Sequence, residues 1–110
     1  MTEIQQSILE LLENRAVGRN NVIKQHDIAQ ILSIPPYGTN DDNVRGYIRD
    51  MVIIYRCPIG TCNRGVFLIT NEQERGIAIK YIGDKNPDRV EILRQVPLYT
   101  PNNRQNRNNG

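Results

Sequence analysis

Apolar residues in the N-terminal third of the chain recur at the spacing of α-helices. Thr2, followed three residues later by Gln5, has the form of a capping box and predicts a helix that ends near residue 14. A second helix is predicted over about 25–32, and Pro35 and Pro36 stop it from continuing. The predicted inward-facing residues of these two helices are Ile4, Ile8, Leu11 and Leu12, then Ile28, Ile31 and Leu32.

A third helix follows the polar, turn-rich segment 34–43. We expect Thr39 to cap it, since threonine side chains accept hydrogen bonds from the first turn of a helix. An inward stripe then turns Gly46 and Arg49 outward, with Asn43 and Arg45 on the two flanks. The stripe that sets this orientation is Val44, Tyr47, Ile48 and Met51.

The apolar stretch after the third helix predicts a β-hairpin. Its strands cover about 55–61 and 65–70, and Cys62, Asn63 and Arg64 form the connection, where a positive φ is needed. Thr70 with Gln73 forms another capping box and starts a helix that packs Ile77 and Tyr81 inward. A last helix is predicted from Pro87, with Asn86 as its cap and Val90, Leu93 and Val96 facing inward.

Composition limits the chain to one small folded unit. It has 110 residues, 38% of them apolar, and a formal charge of +2, so any basic footprint has to arise from local clustering. Residues after Pro101 are all polar or glycine and predict a flexible tail. The start of the chain lacks the features of a signal peptide and no apolar run is long enough for a membrane helix, which predicts a soluble, cytoplasmic protein without a membrane partner.

The residues offer little for catalysis or metal binding. The two cysteines, Cys57 and Cys62, have only one histidine, His26, to join them, too few ligands for a structural zinc, so we interpret them as small apolar residues of the interior. No phosphate-binding glycine loop or nucleophile arrangement is present in the sequence. We therefore expect no cofactor, no metal and no enzymatic activity.

The predicted order of elements resembles a known family. Val22 and Ile23 precede Asp27, Ile28 and Ala29; Arg45, Ile48 and Met51 follow in the third helix; PIGT at 58–61, GVFLIT at 65–70 and NEQE complete the pattern. Together these pieces resemble a winged helix-turn-helix domain of the small bacteriophage and mobile-element type. The resemblance implies an α+β fold with a three-helix core and a β-hairpin wing over 1–82, a helical C-terminal extension over 83–99 and a disordered tail over 100–110.

What the resemblance implies about function is binding of double-stranded DNA, by a transcription or replication regulator. The third helix would enter the major groove, and the wing would touch the backbone or the minor groove. Arginine and asparagine suit the reading of base edges, and lysine suits contact with phosphates. The implied contacts are Asn43, Arg45 and Arg49 in the third helix, Asn63 and Arg64 in the wing, and Lys24 and Gln25 at the start of the second helix.

A protein-interaction module is the alternative. Asp41 and Asp42 precede the third helix and repel phosphates, and Lys24 stands where the family commonly has a capping Ser or Thr. Such a domain would act as an inhibitor or adaptor of host machinery. The C-terminal helices would also form a homodimer, which explains apolar residues outside the predicted stripe. Those residues are Ile79, Ile82, Ile92 and Leu98.

Overall fold

The computed structural model describes residues 1–34 and 43–100, except for the side chain of residue 84. Its helices are α1 (Glu3–Arg15), α2 (Gln25–Leu32), α3 (Val44–Ile53), α4 (Glu72–Ile82) and α5 (Pro87–Gln95), with short 3-10 helices at Arg19–Asn21 and Gly83–Lys85. Strands β1 (Ile59–Cys62) and β2 (Gly65–Leu68) form one antiparallel hairpin. Of the flexible tail predicted over 100–110, residues 101–110 lie outside the described residues.

The hairpin is the centre of the core. Consecutive residues of a strand point to opposite faces, yet Val66, Phe67, Leu68 and Ile69 are all fully buried. Both faces are covered because α1 contacts β2 on one side and α4 packs on β1 on the other. At Gly60 an added Cβ would lie only 2.9 Å from the Cβ of Ala78, so β1 and α4 approach each other closely. This double burial accounts for the nearly continuous apolar run in the sequence.

Helices α1, α2 and α3 contact one another and supply the second part of the core. Thr2 and Gln5 form the predicted capping box at the start of α1. The segment between α1 and α2 runs along the free edge of β2, where the Ile23 and Val66 main chains exchange hydrogen bonds of 3.0 and 2.8 Å. The large core side chains of the three helices are Ile8, Leu12, Ile28, Ile48, Met51 and Val52.

The C-terminal helices pack on the same core. Asn86 caps α5 as predicted, by accepting a hydrogen bond from the main-chain N–H of Arg89, and Leu93 and Val96 are buried. Helix α5 contacts both α3 and α4. The main-chain N–H of Tyr99 donates to the carbonyl of Ile69, at 2.8 Å, so the chain after α5 returns to the hairpin.

Several sequence predictions about the helices are wrong. Helix α3 begins at Val44 with Asn43 as its cap, so Thr39, itself outside the described residues, does not cap it. Helix α4 is capped by Asn71 and not by a box of Thr70 and Gln73. In each case a nearby asparagine provides the acceptor that we had assigned to threonine.

The predicted apolar faces of the helices are also wider than the faces that are buried. Three side chains predicted to face inward are substantially exposed, so the buried faces of α1, α2 and α4 are narrower than the apolar spacing predicts. They are Ile4 at 38%, Ile31 at 46% and Tyr81 at 54% exposure. Gly46, predicted to face outward, is buried. Strand β1 starts only at Ile59, because a turn at 54–55 and a positive φ at Arg56 follow α3.

Candidate functional site

One groove of about 670 Å³ lies where the start of α2, helix α3, the hairpin turn and the segment joining α4 to α5 meet. Five of the seven sequence-predicted site residues line it, from three separate elements: Lys24, Gln25, Arg45, Asn63 and Arg64. The groove also contains residues that the sequence did not indicate. These are Thr61, Cys62 and Gly65 of the hairpin, and Tyr81, Ile82, Lys85, Asn86 and Arg89 of the C-terminal part.

The hairpin turn is held against the start of α2 by a close backbone contact. Gly65 has a φ of +146°, and an added Cβ there would lie 2.5 Å from the carbonyl oxygen of Ile23. Glycine is needed for both reasons, since a side chain disfavours this φ and has no room. The positive φ that we expected in the turn falls on Gly65, because neither Asn63 nor Arg64 has one. Arg64 is consequently exposed beside Lys24, on the rim of the groove.

Helix α2 begins without a side-chain cap. Lys24 is its N-cap residue, and no side chain accepts a hydrogen bond from the first turn, as the sequence predicted. The N–H groups of this turn are therefore unpaired by side chains, at the positive end of the helix dipole. Lys24 and Gln25 both line the groove, so this helix end adds to its positive potential.

Helix α3 contributes Arg45, which is exposed and lines the groove. The other two predicted residues of this helix are engaged elsewhere. Asn43 accepts a hydrogen bond from the N–H of Gly46 at 3.0 Å, and the guanidinium of Arg49 lies 3.3 Å from the carboxylate of Asp50. Gly46 is buried on a helix that α5 contacts, so less of α3 is accessible than the sequence suggested.

Arg89 is a half-buried side chain in the groove wall. Its Nη2 lies 3.5 Å from the hydroxyl oxygen of Thr61, and its buried Nε has no hydrogen-bond partner among the described residues. Burial, followed by repulsion from the Arg45 and Arg49 guanidinium groups, lowers the pKa of Arg89. The guanidinium remains charged nonetheless, since its ordinary pKa is far above neutral pH.

The described lining of the groove is positively charged. No described lining residue is an aspartate or glutamate. Three described carboxylates form contacts outside the groove: Asp50 with Arg49, Glu72 with Arg75, and Glu74 with main-chain N–H groups. A chain with a formal charge of only +2 thus builds a strongly basic groove by its folding. The five cationic residues that line it are Lys24, Arg45, Arg64, Lys85 and Arg89.

Lys85, Arg89 and Tyr81 were not predicted as site residues, because the sequence pattern indicated only helix packing in this region. Tyr81 was predicted to face the core, yet its exposed ring lines the groove. Lys85 and Arg89 lie on either side of the capped start of α5 at Asn86. Because that helix start was predicted correctly, the basic residues that flank it were the sequence feature that could have indicated this part of the site. Their place in the same groove as Arg45 depends on how α5 packs on α3.

Within 1–34 and 43–100, no group of three histidine, cysteine, aspartate or glutamate side chains is arranged to hold a metal ion. Cys57 and Cys62 are both buried, as the interpretation of them as interior residues predicted, and they are not joined in a disulfide.

The described residues thus form an α+β domain of five α-helices and one antiparallel hairpin. No family model, no curated protein and no solved structure matches the chain. None of the described helices combines the length and apolar character that crossing a membrane requires.

Proposed function

We propose that this protein binds double-stranded DNA through the basic groove, using a winged-helix arrangement of α1, α2, α3 and the hairpin. The observation that carries the proposal is the convergence of Lys24, Arg45 and Arg64 from three elements on one groove. Contacts to phosphate supply most of the affinity in non-specific DNA binding. A groove lined by five cations and no described carboxylate suits that task.

The order of elements supports the winged-helix part of the proposal. Three mutually contacting helices precede the hairpin, and the Ile23 main chain pairs with β2 as a short third strand. In such an arrangement the hairpin turn and the third helix approach the duplex together. Arg64 in the turn and Arg45 in α3 would then both face the duplex.

We expect phosphate contacts to outweigh base reading. Arg45 is the exposed arginine of α3, whereas Arg49 contacts Asp50 and Gly46 is buried. Because α5 lies against α3, a smaller part of α3 is free to enter a major groove. Sequence preference should therefore be modest and depend on Arg45.

The test is binding to random duplex DNA over a range of salt concentrations. If each of the five cations neutralises one phosphate, log K falls against log salt with a slope of up to about −4.5. Arg64→Gln should weaken binding to all sequences and reduce this slope by about one unit. Arg15→Gln is the matched control, since Arg15 is exposed and does not line the groove. Absence of binding by the wild type at low salt would contradict the proposal.

Protein interaction is the second candidate function, and one observation favours it. Helix α5 reduces the accessible part of α3, which disfavours deep insertion into DNA. An acidic protein surface would then occupy the groove instead. The two candidates separate in the same titration, because only DNA binding requires the wild type to bind random duplex at low salt.

The apolar residues that suggested a homodimer through the C-terminal helices are accounted for by packing within one chain. The four apolar residues that suggested it pack partly buried against the core of their own chain: Ile79, Ile82, Ile92 and Leu98. The dimer and the regulatory role both stay predictions.

A further inference from the structure

We propose that Arg89, together with Arg45 and the hydroxyl of Thr61, forms a specific binding site for one phosphate group within the groove. The inference rests on the proposed function insofar as the phosphate belongs to DNA, but the site itself is defined by its own geometry. Such a site would hold one phosphate at a fixed position, whereas the exposed cations provide only a diffuse electrostatic attraction.

The first step of the argument is the unmet bonding capacity of Arg89. A guanidinium has five N–H donors, yet Nε is buried without a partner and Nη2 reaches only the Thr61 oxygen, at 3.5 Å. No described carboxylate forms an ion pair with it. Leaving a buried N–H donor of a charged group without a partner is costly, and an anion bound in the groove would supply the missing acceptor.

Arg75 shows what a structural arginine looks like in the same protein. Its Nη1 donates to the carbonyls of Leu93 and Val96, both at 2.7 Å, and its Nε and Nη2 pair with the carboxylate of Glu72. Arg75 thus combines main-chain carbonyls with a counter-charge. Arg89 has neither, although both side chains are largely withdrawn from solvent.

The second step is the chemistry of the missing partner. Arg45 also lines the groove and is close enough to repel Arg89, and Arg49 repels it from nearby. Two or more positive charges around one recess favour an anion with several charged oxygens. Phosphate meets this need, because its oxygens accept paired N–H bonds from a guanidinium and a further bond from a hydroxyl. Thr61 provides that hydroxyl.

The first experiment tests the site without DNA. Inorganic phosphate is titrated at constant ionic strength, kept with sodium chloride, while the ¹⁵N resonance of the Arg89 Nε–H and the thermal midpoint are followed. We expect a saturable shift of this resonance and a midpoint that rises with phosphate concentration. Arg89→Gln should abolish the rise in the midpoint, and Arg89→Lys should reduce it, since lysine keeps the charge and loses the planar fork.

Arg94→Gln is the matched control, because Arg94 is an exposed arginine of the same helix outside the groove. It should respond to phosphate as the wild type does. Circular dichroism establishes that each variant is folded before it is compared. A wild type whose Arg89 resonance does not move, or an Arg89→Gln variant with an unchanged phosphate response, overturns the inference.

The second experiment identifies the source of the phosphate. Blunt duplexes with 5′-phosphate and with 5′-hydroxyl ends are compared, because a recessed site admits a terminal phosphate more easily than an internal one. In either case Arg89→Gln should weaken binding about ten- to hundredfold, while Arg94→Gln should not. Stronger binding of the phosphorylated duplex assigns the site to chain ends, and equal binding assigns it to the internal backbone.

The two proposals fail in different ways. If phosphate shifts the Arg89 resonance and no duplex binds, the phosphate site stands and the DNA-binding proposal fails. If duplex binding depends on Arg64 but is unaffected by Arg89→Gln, DNA binding stands and the anchored phosphate is overturned.

Discussion

At the scale of single residues, arginines fasten the C-terminal helices and supply the charge of the groove. Arg75 of α4 donates hydrogen bonds to the carbonyls of Leu93, in the last turn of α5, and of Val96, its C-cap residue. These carbonyls have no partner within the helix, so the guanidinium satisfies them and fixes α5 to α4. Helix α5 also carries Arg89, which lines the same groove as Arg45.

Glu74, the residue before Arg75 in the first turn of α4, connects other parts of the chain in a comparable way. One carboxylate oxygen accepts hydrogen bonds from the N–H and the hydroxyl of Thr70, both at 2.8 Å, and the other accepts from the N–H of Arg19 at 2.9 Å. Partial burial raises the pKa of Glu74, but the bonds from Arg19 and Thr70 outweigh burial and the net pKa is lowered. The carboxylate joins the segment before α2 to the end of the hairpin.

Acid should weaken this connection. Because the pKa of Glu74 is lower in the folded state than in the unfolded state, its contribution is fully present above the unfolded value, about 4.3, and is lost as the pH falls through the folded value. We expect Glu74→Gln to reduce the fall in stability between pH 6 and pH 3, measured by urea unfolding. Glu91→Gln should keep the wild-type pH profile, since Glu91 accepts only an exposed side-chain bond from Gln95. Identical profiles for Glu74→Gln and the wild type would contradict this assignment.

At the scale of elements, the hairpin organises both the core and the groove. Its strands are buried between α1 and α4, while its exposed turn carries Arg64 to the rim. The turn reaches the start of α2 only because Gly65 lets the two backbones touch at Ile23. Fold stability and groove geometry consequently depend on the same glycine.

A pair of glycine substitutions tests this dependence. Gly65→Ala should cost about 2 to 4 kcal/mol of unfolding free energy, because the new Cβ meets the Ile23 carbonyl and the φ of +146° is unfavourable. Gly76→Ala, in the interior of α4 with no atom within 4 Å of the added Cβ, should instead stabilise by about 0.5 to 1 kcal/mol. Urea unfolding measures both. Equal effects of the two substitutions would show that the contact at Ile23 is not constraining.

At the scale of the whole molecule, the C-terminal part completes a core begun by the first three helices. Leu93, Val96 and Tyr99 belong to the same cluster of buried residues as Ile48 and Phe67. The segment after α5 also supplies a main-chain bond to Ile69. The groove is lined by the start of α2, by α3 and the hairpin, and by the segment joining α4 to α5, so it forms only when these elements are packed together.

Two truncations separate the packed segment from the polar end of the chain. Removal of everything after Val96 deletes partly buried Leu98 and buried Tyr99 and should cost about 3 to 5 kcal/mol. Removal of residues 101–110 should change the thermal midpoint far less, since their sequence is almost entirely polar. It should also weaken DNA binding slightly through the loss of Arg104 and Arg107. Thermal unfolding and duplex titration of both truncations provide the measurements, and a large stability loss on removing 101–110 would contradict the sequence prediction of a flexible tail.

What the sequence determined by itself is the part of the structure encoded in short windows. These features include the capping at Thr2 and Asn86, the apolar faces of the helices and the hairpin before α4. Each depends on residues a few positions apart, so each could be predicted from the sequence. Five cationic or amide residues of the groove were identified through the family resemblance, because they occupy the ends and turns of these local elements.

Tertiary structure alone decided which surfaces of those elements meet. Gly46 is buried and Tyr81 is exposed because burial depends on the neighbour that a face receives, and α5 contacts α3 from a distant part of the chain. The same packing brings Arg89 beside Arg45 and creates the groove. Local periodicity indicates that a helix has an apolar face. Which element covers that face is determined by the free energy of packing several elements together.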